Sequence, residues 1–149
     1  MKITLLVVGK TTDAHIEALL QDYQKRLVHY VPFNIIVIPE LKNTKSLTSE
    51  QQKQAEGELI LRQITPSTDM ILLDERGKEY RSIEYADYLQ KKMSSGRDVV
   101  FVVGGPYGFS QTVYERANGK ISLSIMTFSH QMVRLFFVVQ LFRAMTILR

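Results

Sequence analysis

A chain of 149 residues, 45% hydrophobic and 23% charged, has the size and balance of one folded domain that buries its own core. It contains no cysteine, which excludes disulfide staples and thiolate metal sites. Its three histidines (His15, His29, His130) are scattered, so no metal is expected. The formal net charge of +4 is a mild basic bias, compatible with nucleic acid as a partner and equally with an ordinary solvated surface.

The N-terminal run Met1 to Lys10 carries one early lysine and a short apolar stretch. It is too short to span a membrane and is followed by no small-residue cleavage site. It reads as a buried first strand over residues 2–8, which predicts a cytoplasmic protein with no membrane association. Asp13 opens an amphipathic helix to about residue 30, with Ile16, Leu19, Leu20, Tyr23 and Leu27 at helical spacing. Pro32 ends it, and residues 33–38 form a second strand. After a polar loop, Thr48 and Gln51 have capping-box spacing for a helix to about residue 64. Residues 70–73 form a third strand, and 74–81 a charged loop centred on Gly77. Ser82 is the expected cap of a helix that Gly96 stops. Residues 99–103 are a continuous apolar run, as in a strand covered on both faces. A short helix over 110–117, a fifth strand over 121–124 and a last helix from about His130 complete the chain. This alternation predicts a single α/β domain over residues 1–149: a mostly parallel sheet with helices on both faces.

The last helix is apolar on nearly every face, with Gln131 and Arg134 pointing one way and Gln140 and Arg143 roughly opposite. Its arginines and glutamines argue against a membrane span. A terminal helix of this kind is hard to bury within one small subunit, so a homodimer is expected, with Phe137 and Val138 in its interface.

Three segments carry candidate chemistry. The fourth strand ends in Gly104-Gly105-Pro106-Tyr107-Gly108, a tight turn at the carboxyl edge of the sheet, where ligands bind in open α/β folds. The glycines would let a ligand approach the main chain; a plain turn is the alternative. Leu123 to His130 is either an ordinary loop, with Thr127 or Ser129 capping the last helix, or a loop whose main chain bonds an adenine edge between Ile125, Met126 and Phe128. His130 and Arg134 lie four apart on one helix face, as a phosphate or base contact or as a cap and a surface arginine.

The segments FVVGGPYGFS and SLSIMTFSHQMVRLFFVVQLFRA, with the opening MKITLLVVGK and the mid-chain LLDERGK, together resemble the ribosomal RNA large subunit methyltransferase H family, over essentially the whole chain and in the same order. The resemblance implies a SPOUT-class α/β homodimer with a deep C-terminal trefoil knot. It also implies S-adenosylmethionine as cofactor and methylation of N3 of a pseudouridine in large-subunit ribosomal RNA, presented free or in the assembled ribosome. On matching motifs the cofactor would contact Leu73, Gly104 and Gly105, and the loop Ser124, Ile125, Met126, Thr127, Phe128 and Ser129. Two departures from the family pattern stand out. The family usually has proline at the position of Ser129, and it continues past the last helix into a tail with a Tyr-His pair, whereas this sequence stops at Arg149.

Methyl transfer from a sulfonium needs alignment and removal of the target nitrogen's proton. His130 is the candidate base and Arg134 the candidate phosphate or oxyanion contact, with the basic loop from Arg76 to Arg81 as a further RNA contact. Two rivals remain open: a flavodoxin-like or nucleotide-binding monomer with phosphate or flavin at the Gly104 turn, and a dimeric ribosome-binding module without catalysis.

Overall fold

The computed structural model describes residues 1–149. Strands and helices alternate from end to end: β1 (Ile3–Val8), α1 (Ala14–Leu27), β2 (Phe33–Ile38), α2 (Ser49–Leu61), β3 (Asp69–Glu79), α3 (Ser82–Ser94), β4 (Val99–Val103), α4 (Gln111–Arg116), β5 (Gly119–Ser122) and α5 (His130–Leu148). One 3₁₀ turn, Thr44–Ser46, lies in the loop before α2. The five strands form one sheet in the order β2-β1-β4-β3-β5, with every pairing parallel.

The crossovers run alternately left and right along the sheet. A constant crossover hand then requires successive helices to fall on alternate faces. They do. Leu5, Phe101 and Ile71, aligned across β1, β4 and β3, belong to one core with α1, α3 and α5. Their neighbours Leu6, Val102 and Leu72 belong to a second core with residues of α2 and α4. The period of two along each strand thus serves both layers, and every residue of β4 is buried.

Local chemistry fixes the ends of the elements. The Asp13 carboxylate accepts hydrogen bonds from the His15 and Ile16 amides and starts α1. The expected capping box of α2 is complete: Thr48 Oγ1 accepts from the Gln51 amide and Gln51 Oε1 from the Thr48 amide. Gly96 follows α3 with φ +75°, a conformation in which it donates back to the Met93 carbonyl.

Three expectations need correction. Ser82 does not cap α3; Arg81 occupies that place, and the Glu84 carboxylate accepts from its amide. Residues 74–79 are not a free loop. The ladder between β3 and β5 breaks after Leu73 and resumes at Lys78, both opposite Ile121, so residues 74–77 bulge out and β3 rejoins β5 beyond them. A Cβ on Gly77 would lie 2.6 Å from the Ile121 carbonyl carbon, so only glycine allows this return. Finally, Phe137 and Val138 are not interface residues. Both are fully buried within the subunit, Phe137 against Phe101 with ring centroids 4.8 Å apart. α5 is long and apolar enough to cross a membrane. Here it packs between α1 and α3, and its Gln131 and Arg134 face the β1–α1 loop, while Gln140 and Arg143 are exposed.

Candidate active site

The carboxyl ends of β3, β4 and β5 open into one cleft of about 730 Å³. Three segments build it: the bulge after Leu73, the turn from Gly104 to Gly108, and the loop from Leu123 to His130. α2 and α4 close one side through Lys53 and Tyr114. Each segment arrives at a strand end, which places the site on the sheet's rigid framework.

The loop is shaped by its own short polar bonds. Ser122 Oγ donates to the Ser124 carbonyl, and Ser124 Oγ accepts from the Met126 amide. Ser129, rather than Thr127, caps α5, its hydroxyl accepting from the Met132 amide. These bonds turn the apolar side chains outward: Ile125 is 71% and Met126 72% exposed. Phe128 leans edge-on against Phe136 of α5, with centroids 4.7 Å apart. Exposing large apolar groups beside a cleft costs free energy that a flat apolar ligand would recover.

Of the residues expected to hold a cofactor, Leu73, Gly104, Gly105, Ser124, Met126, Thr127 and Phe128 line the cleft, and His130 stands exposed at its rim. Ile125 and Ser129 do not line it: Ile125 points to solvent and Ser129 is spent on the cap.

Arg134 is not at the site. Its side chain turns to the other side of α5, where Nη2 donates to the Val8 carbonyl (2.8 Å) and Nη1 to Thr11 Oγ1 (3.0 Å). The residue is 2% exposed, and burial lowers its pKa against the longer-range pull of Glu40 and Glu17. The four-residue spacing put His130 and Arg134 on one face, but the long arginine side chain curls away toward the β1–α1 loop. Gln131 fastens the same loop, accepting from the Thr12 amide and donating to the Lys10 carbonyl.

The two glycines of the turn are also fitted closely from behind. A Cβ on Gly104 would meet the Phe109 ring at 3.1 Å, and one on Gly105 would fall 2.3 Å from Glu56 Oε1. Their missing side chains make room for protein packed behind the turn, while both residues line the cleft in front of it.

The site has a polar group that sequence reasoning did not find. Tyr114 donates to the Asp74 carboxylate, and the Arg76 guanidinium donates to Tyr114 Oη and lies 5.2 Å from the centre of its ring. Burial pushes the Asp74 carboxyl up, but the bonds from Tyr114, the Arg76 amide and the Arg76 guanidinium outweigh it, holding Asp74 below the ordinary carboxylate range. Asp74 and Arg76 were visible as a charged pair. Tyr114 lies forty residues away in sequence and reaches them only because α4 crosses back over the bulge.

A mixed apolar and polar cleft of this size suits a nucleoside-like ligand: exposed apolar side chains on one wall, main-chain groups at the strand ends, charges at the rim. No group of three or more metal-binding side chains is assembled anywhere in the chain.

Comparison with known proteins agrees with this geometry. The family model described as "Predicted SPOUT methyltransferase" matches residues 1–149. Proteins named ribosomal RNA large subunit methyltransferase H are 54% identical in Flavobacterium johnsoniae, over 100% of this chain and 96% of that one, and 58% identical in Bacteroides thetaiotaomicron, over 99% and 95%. The relative of that name in Phocaeicola vulgatus is 56% identical over the same shares. A full-length match at this level, on an all-parallel α/β sheet with its cleft at the strand ends, makes the chain a member of the SPOUT methyltransferase family and an enzyme that transfers methyl groups.

Proposed function

We propose that this protein methylates N3 of a pseudouridine in large-subunit ribosomal RNA, with S-adenosylmethionine as the methyl donor. The observation that carries the reading is the cleft itself. Seven of the nine residues expected to hold that donor line one cavity at the ends of β3, β4 and β5. The names of the full-length relatives supply the RNA.

S-adenosylmethionine supplies a methyl group on a sulfonium, ready for direct displacement. The chain's own residues align and protect. Met126 and Phe128, which line the cleft, offer apolar surface to an adenine, and the main chain beside Leu73, Gly104 and Ser124 is assigned to its polar edge. His130, at the rim, is the residue assigned to take the proton from N3 of the target base.

Arg134 has no part in RNA contact on this reading. Arg76 and Lys120, which flank the Tyr114 ring at 5.2 and 5.7 Å, take that place with Lys78. The homodimer and the trefoil knot belong to the same proposal. So do a ribosomal context for the substrate and a cytoplasmic setting. The uncovered half of α5, with Phe136, Gln140 and Arg143, is the face assigned to the partner.

The test is transfer of an isotopically labelled methyl group from S-adenosylmethionine to ribosomes unmethylated at the target, followed by nucleoside mass spectrometry. Label in 3-methylpseudouridine of the large-subunit RNA is expected. Ribosome binding without transfer would favour a non-catalytic module, and label in another nucleoside would overturn the assigned target.

A further inference from the structure

Behind the turn that lines the cleft lies a carboxyl group with no established task. Glu56, on α2, is 4% exposed. One oxygen, Oε2, accepts a hydrogen bond from Gln52 Nε2 at 3.3 Å, and the other, Oε1, is buried without a partner. That orphaned oxygen is the atom that would sit 2.3 Å from a Cβ on Gly105. The next residue, Gly57, is as tightly fitted: a Cβ there would lie 2.6 Å from Oγ of Ser110, the cap of α4. The Glu56-Gly57 pair is therefore a template against which the segment from Gly105 to Ser110 is moulded.

A carboxyl group is an expensive choice for such a wedge. An apolar side chain would fill the space without a desolvated, unsatisfied oxygen. A charge-bearing group held directly behind a ligand-lining turn has a use if the ligand in front of the turn changes its own charge.

We propose that Glu56 is a positioning residue of the methyl-donor site, which shapes the Gly104–Gly108 turn from behind and releases a proton when the cationic donor binds. This rests on the reading that S-adenosylmethionine occupies the cleft. The released proton passes to the buffer, and the resulting carboxylate faces the donor's positive charge through the turn. After transfer the donor has become a neutral thioether at its sulfur, and the carboxylate has lost the charge that favoured it. Proton uptake then accompanies product formation, and the site holds donor more tightly than product.

The surroundings agree with a group that ionises reluctantly in the free protein. Burial raises its pKa above the ordinary value, Gln52 and the more distant His130 favour the charged form, and Glu40 opposes it. Lys53, three residues earlier on α2, is engaged by Glu50 at 3.0 Å. A donor whose charge lowers this raised pKa displaces protons on binding, so donor affinity rises with pH across the titration, by at most about tenfold per pH unit for one proton.

The experiment is titration calorimetry of the intact protein in buffers of different ionisation enthalpy, with S-adenosylmethionine and with its demethylated thioether product. The expected result is release of a fraction of a proton with the donor, less with the product, and none beyond the product's value with either ligand in Glu56→Gln, which still binds. A His130→Ala control should keep the proton release. Equal release from wild type and Glu56→Gln overturns the proposal. Failure of both ligands to bind would instead sink the reading of the cleft. The steric half has its own test: Gly105→Ala should weaken donor binding at least tenfold, and adding Glu56→Ala should restore most of it. A Gly105→Ala protein that binds normally, or a double variant no better than the single, removes Glu56 from this role.

Discussion

Removing the Arg134 guanidinium takes away bonds to the Val8 carbonyl and Thr11 Oγ1 in a buried place. Hydrogen bonds involving a charged group contribute about 1.5–3 kcal/mol each where the partner is left unsatisfied. Arg134→Ala should therefore lower stability in urea by about 2–4 kcal/mol, whereas His130→Ala, at an exposed site, should leave stability unchanged. Equal stability of the Arg134→Ala protein and wild type would show that the β1–α1 loop does not depend on this clamp. Asp74 gives a pH signature. Its folded pKa lies below its unfolded value, so its contribution is fully present above the unfolded value and is lost as pH falls through the folded one. Acid titration of stability should therefore show a shallower decline in Asp74→Asn than in wild type. An unchanged acid limb would mean that the Tyr114 and Arg76 bonds do not hold in solution.

At the scale of elements, the bulge in β3 decides where the charged segment goes. Gly77→Ala should push β3 off β5, because the added carbon would meet Ile121 main-chain atoms at 2.6–2.8 Å. A loss of at least about 2 kcal/mol is expected in thermal or urea unfolding, with weakened RNA binding as Arg76 loses its placement. A Gly77→Ala protein as stable as wild type would mean that the pairing beyond the bulge is dispensable. This element also shows what was legible from sequence. β2, β4 and the capping box of α2 follow from local patterns, because apolar runs and cap residues speak for themselves. The return of β3 after the bulge depends on a strand forty residues downstream, so a charged stretch with a central glycine read as a loop. The same limit applied at the site. The loop and turn were found from motifs on single strand ends, while Tyr114 and Glu56 come from helices that only the fold brings near. Arg134 misled because helical spacing fixes the direction of a Cβ, not the reach of a long side chain.

For the molecule as a whole, α5 separates two kinds of apolar residue. Phe137 belongs to the subunit's own core, and Phe136 sits on the uncovered side beside Phe128. Phe137→Asp should unfold the subunit, since a carboxylate would replace a fully buried ring. Phe136→Asp should leave a folded protein that light scattering finds monomeric. If Phe136→Asp stays dimeric, the partner docks elsewhere than on this face of α5. The proposed RNA contacts and proton acceptor both rest on where the donor lies. A crystal structure of the protein grown with S-adenosylmethionine tests that placement most directly. The adenine is expected between Met126 and Phe128, with main-chain contacts at Gly104–Gly105 and the methyl group directed toward the rim that holds His130. Electron density for the ligand in another cavity, such as the one of about 570 Å³ beside Tyr30 and Phe142, with the strand-end cleft empty, would contradict the assignment.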